Sequence, residues 1–189
     1  MPSLYTFAEY SPEWPAAFER EAARIRAILG EEIVRVHHIG STSVPGLAAK
    51  PIIDVLPLVR DIARIDGYTE AFRTAGYAAW GEYGLAGRRF FTKDEGAYRT
   101  HNVHIYQVDD PDADRHLAFP AYLRVHEDVR REYEALKREV YALHPADVGA
   151  YNDGKDAWIK RIQVIALEWY RRQGAGRALA ATDDGSRHG

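Results

Sequence analysis

Cysteine is absent from the chain, which excludes disulfides and thiolate-bound zinc. Also absent is any apolar run close to the roughly 20 residues that a membrane-spanning helix needs. The opening Met1-Pro2-Ser3-Leu4-Tyr5 lacks the basic-then-apolar layout of a secretory leader. Together these absences point to the reducing cytoplasm. Positive charge is not in excess either: 25 Lys and Arg stand against 28 Asp and Glu, a formal net charge of −3. That balance argues against a general nucleic-acid coat, which is normally basic, and leaves room for a local basic pocket. No internal repeat and no long linker breaks the 189 residues, a length that suits one domain with a substantial core.

What is present reads as an α+β domain. Ser11-Pro12 opens a helix that runs to about Leu29, with Phe18, Ala22, Ile25 and Leu29 on one face. Strands are predicted at 33–39, 51–59, 77–83, 88–93 and 100–108, with a short helix after Gly40 and a longer one from Asp61 to about Thr74. The near-continuous apolar character of 51–59 implies a central strand buried on both faces. From Asp112 to Arg172 the period is helical, broken near Pro120, His126 and His144 to Tyr151, with the last helix beginning around Asp153. The domain is therefore expected to span 1–173, sheet-rich over about 31–108 and helical over about 112–172. The Gly-, Ala- and polar-rich tail 174–189 reads as disordered. Glu19-Arg20-Glu21 reads as a solvated helix face.

The segment His38-Ile39-Gly40-Ser41-Thr42-Ser43-Val44-Pro45-Gly46-Leu47 leads into Lys50-Pro51-Ile52-Ile53-Asp54-Val55. A Gly-Ser turn offers backbone N–H groups and hydroxyls to a phosphate. Asp54, set in an apolar strand, is costly to bury unless something pairs with it, and Mg²⁺ gripping nucleotide phosphates is such a partner. The bland alternatives are that Ser41, Thr42 and Ser43 cap a short helix and that Asp54 pairs with Lys50 or an arginine. In Arg88-Arg89-Phe90-Phe91-Thr92-Lys93, the two-residue period puts Arg89, Phe91 and Lys93 on one face, which suits phosphate and base; a solvated sheet face is the alternative. In Arg99-Thr100-His101-Asn102-Val103-His104-Ile105 the two histidines point oppositely, and His104 is the candidate to sit beside Asp54, as ligand or proton shuttle; a hydrogen-bonded sheet histidine is the alternative. Arg115, His116, Arg124, Lys155 and Lys160 are cations of the helical half that can fold over the sheet.

Those segments, with His116-Leu117-Ala118-Phe119-Pro120-Ala121-Tyr122-Leu123-Arg124 and Tyr133-Glu134-Ala135-Leu136-Lys137, resemble the GrpB family over nearly everything from Tyr10 to Tyr170. The resemblance implies a polymerase-β-like nucleotidyltransferase fold, a mixed sheet with flanking helices and a C-terminal helical layer. Related domains are appended to dephospho-CoA kinases. It implies Gly40-Ser41 at the superfamily's Gly-Ser position and Asp54 at its first carboxylate. The implied activity is transfer of a nucleotidyl group from a nucleoside triphosphate to a small-molecule acceptor with Mg²⁺. Asp54 and His104 would be catalytic, with Asp54 the metal ligand. Gly40, Ser41, Thr42, Ser43, Lys50, Arg89, Lys93, Arg99 and Lys155 would bind substrate. The chain departs from the superfamily pattern at two places: Leu56 stands at the second carboxylate, and Asn102 or His104 at the third. Glu82 is a candidate replacement ligand. The alternatives are a non-catalytic module that binds a nucleotide or a coenzyme A-type phosphometabolite and, more weakly, a metal-dependent phosphohydrolase.

Overall fold

The computed structural model describes residues 5–184, with side chains through Gly174. Helix α1, Glu13–Leu29, starts where Ser11 Oγ accepts the Glu13 N–H at 3.2 Å and stops at Gly30 with φ +54°. Strands β1 (Ile33–Ile39), β2 (Ile53–Val59), β3 (Tyr77–Ala79), β4 (Arg89–Glu95) and β5 (Tyr98–Gln107) form one sheet in the order β1-β2-β5-β4-β3. The pair β2–β5 is parallel and the other pairs are antiparallel, so the sheet is mixed. As expected, β2 is interior and largely buried.

Between β2 and β3, Asp61 accepts the Ala63 N–H at 2.9 Å and caps a 3₁₀ segment, Ile62–Tyr68, which leads into a short α2, Thr69–Thr74. The short helix expected after Gly40 is a single 3₁₀ turn, Ser41–Ser43. Pro45 and Gly46 at φ +77° leave no room for more. In the helical half α3 is Pro111–Val125, α4 Glu127–Leu143 and α5 Val148–Asp184. Pro120 lies inside α3 without ending it, while the expected break at His126 is present. Helix α5 begins five residues before Asp153 and continues through the segment read as a disordered tail as far as Asp184. Arg177 to Ala181 are strong helix formers, and their propensity offsets Gly174 and Gly176. Residues 185–189 lie outside the described residues.

Each face of the sheet packs a different layer. On one face Phe18, Ala22 and Ile25 of α1 and Phe72 of α2 cover Val55, Phe91, Val103 and Ile105. On the other, Leu56, Leu58 and Tyr106 meet Ala113 of α3. Beside them Val44 and Leu47 of the Gly-Ser segment are clamped by Phe119, Leu123, Tyr133 and Ile162. The helical half is thus built onto the loop that follows β1, and that is what closes the site.

Candidate functional site

Asp54 sits on the sheet face that α3 covers, the face of Leu56, in register with Ile39 of β1 and Asn102 of β5. Asn102 Nδ2 donates to Asp54 Oδ1 at 2.9 Å, while Arg99 Nη1 donates to Asn102 Oδ1 at 3.2 Å and holds the amide in that sense. Among the described residues no lysine or arginine lies within 4.0 Å of the Asp54 carboxylate, so the simple ion pair is not what accounts for it. The other carboxylate oxygen lies against Gly40. A Cβ at Gly40 would come within 2.3 Å of Asp54 Oδ2, and its φ of +69° is one that side chains disfavour. The glycine of the Gly-Ser turn is therefore where backbone and carboxylate approach most closely.

His104 Nε2 lies 3.6 Å from Asp54 Oδ1. Its Nδ1 lies 3.4 Å from Arg88 Nη1. Arginine only donates, so Nδ1 accepts and the ring proton is on Nε2, facing Asp54. That makes His104 a donor towards the site rather than a metal ligand through this atom. Arg88 itself is buried, held by the Tyr83 and Glu82 carbonyls and stacked 4.7 Å from the Phe90 ring centre.

The turn hydroxyls divide. Thr42 Oγ1 donates to the Ile52 carbonyl at 3.1 Å and meets His38 Nε2 at 3.1 Å. Ser43 Oγ donates to the Gly40 carbonyl at 2.7 Å and accepts from Arg124 Nη2 at 2.9 Å. Both hydroxyls hold the turn together. Arg124 also donates to the Ser43 carbonyl and pins α3 to it. Of the three, Ser41 is the one left to face a ligand, alongside the Tyr133 phenol. Neither hydroxyl caps a helix N–H; both donate to backbone carbonyls, of Ile52 and of Gly40.

Asp54 and Ser41 open onto a chamber of about 200 Å³ lined by three lysines, Lys50, Lys137 and Lys155. Lys50 Nζ donates to Asn152 Oδ1 at 3.1 Å. Lys155 Nζ is 3.9 Å from the Tyr151 ring centre. Lys137 donates to the Ala48 carbonyl and lies 4.6 Å from the Tyr133 ring centre. Burial, reinforced by Lys155, pushes Lys137 down to about 7; burial, reinforced by Lys50, pushes Lys155 down to about 7. Burial lowers Lys50 as well. Three lysines share the chamber with one carboxylate, and a polyanion that draws protons onto them is what such a cluster binds. A wider chamber of about 590 Å³ shares Lys50, Ile52 and Asn102 with the first and adds Tyr83, Tyr98 and Arg99. Asp54 also borders a third chamber of about 200 Å³ on its other side, with His104, Arg115 and His116.

Two predicted substrate residues are placed elsewhere. Phe90 and Thr92 pair with His104 and Asn102, so Arg89, Phe91 and Lys93 point to the opposite face, under α1 and α2. Arg89 is bidentate to Asp66 at 2.6 and 2.8 Å, and Lys93 donates to Glu21 Oε1 at 3.1 Å. Glu21 is not the solvated residue the sequence suggested. It is 1% exposed and accepts from Tyr77, Lys93 and Arg24. It follows Phe18 by three residues, inside the apolar stripe, where its charge needs those partners. Glu82 accepts from Gly87 N at 2.8 Å and does not reach Asp54. Lys160 is paired with Asp156 in solvent.

Sequence reasoning did not assign roles to Lys137 or Arg88. Lys137 had a signal: it continues the i, i+4, i+7 row Tyr133, Lys137, Val140 that α4 buries. A lysine in such a row is either snorkelling or working. Arg88 had the face period right and the burial hidden, because its covering loop has no periodicity. Among the described residues no three His, Cys, Asp or Glu side chains group as a metal site.

The chain is similar in sequence and fold to known proteins. The UPF0157 protein YqkA of Bacillus subtilis (strain 168) is 44% identical over 160 residues, covering 85% of this chain and 46% of the relative. A dephospho-CoA kinase of Mycolicibacterium paratuberculosis is 29% identical over 183 residues, 84% of this chain and 45% of the kinase. The chain thus spans about half the length of each. The crystal structure of conserved protein GrpB from Enterococcus faecalis is similar with a TM-score of 0.83 and 44% identity, over 87% of this chain and 99% of that one. At 8% identity the GLD-2/RNP-8 complex shares the fold alone, with a TM-score of 0.51 over 85% of this chain and 58% of that one. The fold is α+β and nucleotidyltransferase-like. The family model described as GrpB protein matches residues 5–164, covering the Gly40 turn, Asp54 and all three lysines, and the chain belongs to the GrpB family.

Proposed function

We propose that the protein is a metal-assisted nucleotidyltransferase that moves a nucleotidyl group from a nucleoside triphosphate to a small-molecule acceptor. The observation that carries this is the chamber where Ser41, Lys50, Lys137 and Lys155 surround one side of Asp54. The outer phosphates sit on the lysines and the Ser41 turn, and the nucleoside extends into the wider chamber beside Tyr83, Tyr98 and Arg99. Side chains already held in place around the phosphates need no reorganisation when charge develops in the transition state.

Asp54 accepts only the Asn102 hydrogen bond among the described residues, so its carboxylate has capacity to spare. Mg²⁺ keeps several waters and is satisfied by one carboxylate plus substrate phosphates, so these residues fit one such ion and not a protein-built pair. When bound, Mg²⁺ neutralises charge on the phosphates. Leu56, fully buried against the core, excludes a second carboxylate at its position. In the step, the acceptor hydroxyl oxygen bonds to the α-phosphorus while the bond to pyrophosphate breaks, its electron pair leaving on pyrophosphate. The acceptor's proton passes to Asp54, and His104 Nε2–H donates towards the phosphoryl oxygens. The test is pyrophosphate release from ATP, GTP, CTP and UTP with Mg²⁺ over an acceptor panel. Release should vanish in Asp54→Ala with the fold intact; persistence in that variant overturns the transfer mechanism.

The single carboxylate favours one other reading, a module that binds a nucleotide or coenzyme A-type phosphometabolite without chemistry. Its mark is binding indifferent to Mg²⁺ and to Asp54, with no product. Nothing in either reading calls for a membrane, and no helix among the described residues is long and apolar enough to cross one.

A further inference from the structure

We propose that the third chamber, on the far side of Asp54 from the lysines, is the acceptor site and takes a small anion, a hydroxyl compound carrying a carboxylate or phosphate group. This rests on the transfer reading for the word acceptor, and on the chamber's own chemistry for the charge. Asp54 is shared by this chamber and the lysine chamber, so a molecule in each meets the other across that carboxylate. The lysine chamber suits the donor's phosphates, which leaves this one for the acceptor, whose hydroxyl attacks the α-phosphorus from the side opposite the leaving pyrophosphate.

The chamber selects for negative charge. Arg115 lines it and is only loosely engaged, its Nε 3.9 Å from Asp112 Oδ1. Behind it lie His104, His116 and the buried Arg88, whose guanidinium touches His104. Burial, together with His104, Arg115 and Arg88, drives His116 down to about 2, so its ring is neutral. Its Nε2 lies 3.4 Å from the Tyr106 hydroxyl. Ile39, Phe119 and Pro120 add apolar wall and Gln163 a neutral amide, and Asp54 is the sole carboxylate among the described residues that line the chamber. An arginine held only loosely by Asp112, with the neutral His116 ring beside it, recognises a carboxylate or phosphate. At about 200 Å³ the space matches roughly seven waters, the size of a small metabolite.

The test separates this site from the lysine chamber by nuclear magnetic resonance of labelled protein. Pyrophosphate with Mg²⁺ is added first, read at the Lys137 and Lys155 side chains. Inorganic phosphate or neutral glycerol is then titrated, read at Arg115 Nε–H and the His116 ring. Phosphate should move the Arg115 and His116 signals with half-saturation at least tenfold below that of glycerol. Arg115→Gln should weaken the His116 response to phosphate tenfold or more, with the lysine response to pyrophosphate unchanged. Arg115 and His116 signals that ignore phosphate, or a His116 response equal in Arg115→Gln, overturn the anion site. Lysine signals that ignore pyrophosphate overturn the donor-site reading instead, and phosphate titrated alone then still decides the question at Arg115.

Discussion

Binding of a triphosphate should pull protons out of solution, and the lysine chamber fixes how many. Lys137 and Lys155 are each pushed down to about 7. At pH 8 each is therefore about one-tenth protonated in the free protein. A bound polyphosphate favours the ammonium form. Raising each pKa by two units needs about 2.7 kcal/mol per lysine. A phosphate charge about 4 Å away at an effective dielectric near 20 supplies about 4 kcal/mol, which is enough. Binding at pH 8 should then take up about 1.6 protons per site, falling to about 0.2 at pH 6, where the lysines are already mostly charged. The assay is calorimetric titration of ATP in two buffers of different ionisation enthalpy, on wild type and on Lys137→Met. The nucleotide's own titration cancels in that comparison. The variant should take up about one proton fewer at pH 8 and bind at least tenfold more weakly. Equal uptake in wild type and variant, or net proton release at pH 8 from the difference, would refute the reasoning.

Three further outcomes follow from the same geometry. Gly40→Ala places a Cβ 2.3 Å from Asp54 Oδ2 on a backbone of positive φ. It should cost about 1–3 kcal/mol in chemical denaturation and weaken nucleotide binding. Arg89→Gln removes an ion pair to the largely exposed Asp66 on the face away from the site. It should leave nucleotide affinity within about twofold and cost no more than about 1 kcal/mol. Lys137 in the folded protein binds its proton less readily than in the unfolded chain. Stability of the free protein should therefore fall as pH drops from about 10 to about 7 and then level off. Lys137→Met should flatten that slope and melt higher than wild type at pH 6, by at least ~1 kcal/mol; a slope unchanged in the variant counts against it.

Much of this site's layout is legible in the sequence, and the reason is local. The Gly40-Ser41 turn and Asp54 are fourteen residues apart and joined by one loop and one strand, so period and turn chemistry placed them together. The opposite directions of His101 and His104 followed from the same two-residue period, and the structure sends His101 towards Glu21 and His104 towards Asp54. The period also separated Arg88 from Arg89, but it could not say which face the helices of the second half would cover. That depends on Phe119, Leu123, Tyr133 and Ile162 closing over Val44 and Leu47, contacts spanning about half the chain. For the same reason the face shared by Arg89 and Lys93, expected to meet substrate, lies under α1 and α2 instead, and Lys137 carries no role in the sequence reading. Strand ends near the 80–88 loop shifted because the Gly81, Gly84 and Gly87 turns carry positive φ and end β3 at Ala79. Glu21 shows the converse limit: a charged residue inside an apolar stripe looks solvated until its buried partners are known.

The most direct measurement is calorimetric titration of ATP with and without Mg²⁺ into wild type and Asp54→Asn, a variant that keeps the side-chain volume beside Gly40. Binding strengthened at least tenfold by Mg²⁺ in wild type, with that gain lost in Asp54→Asn and the metal-free affinity retained, is the expected result. Equal affinity with and without Mg²⁺ in both proteins would contradict the catalytic account and leave a polyphosphate-binding module in its place.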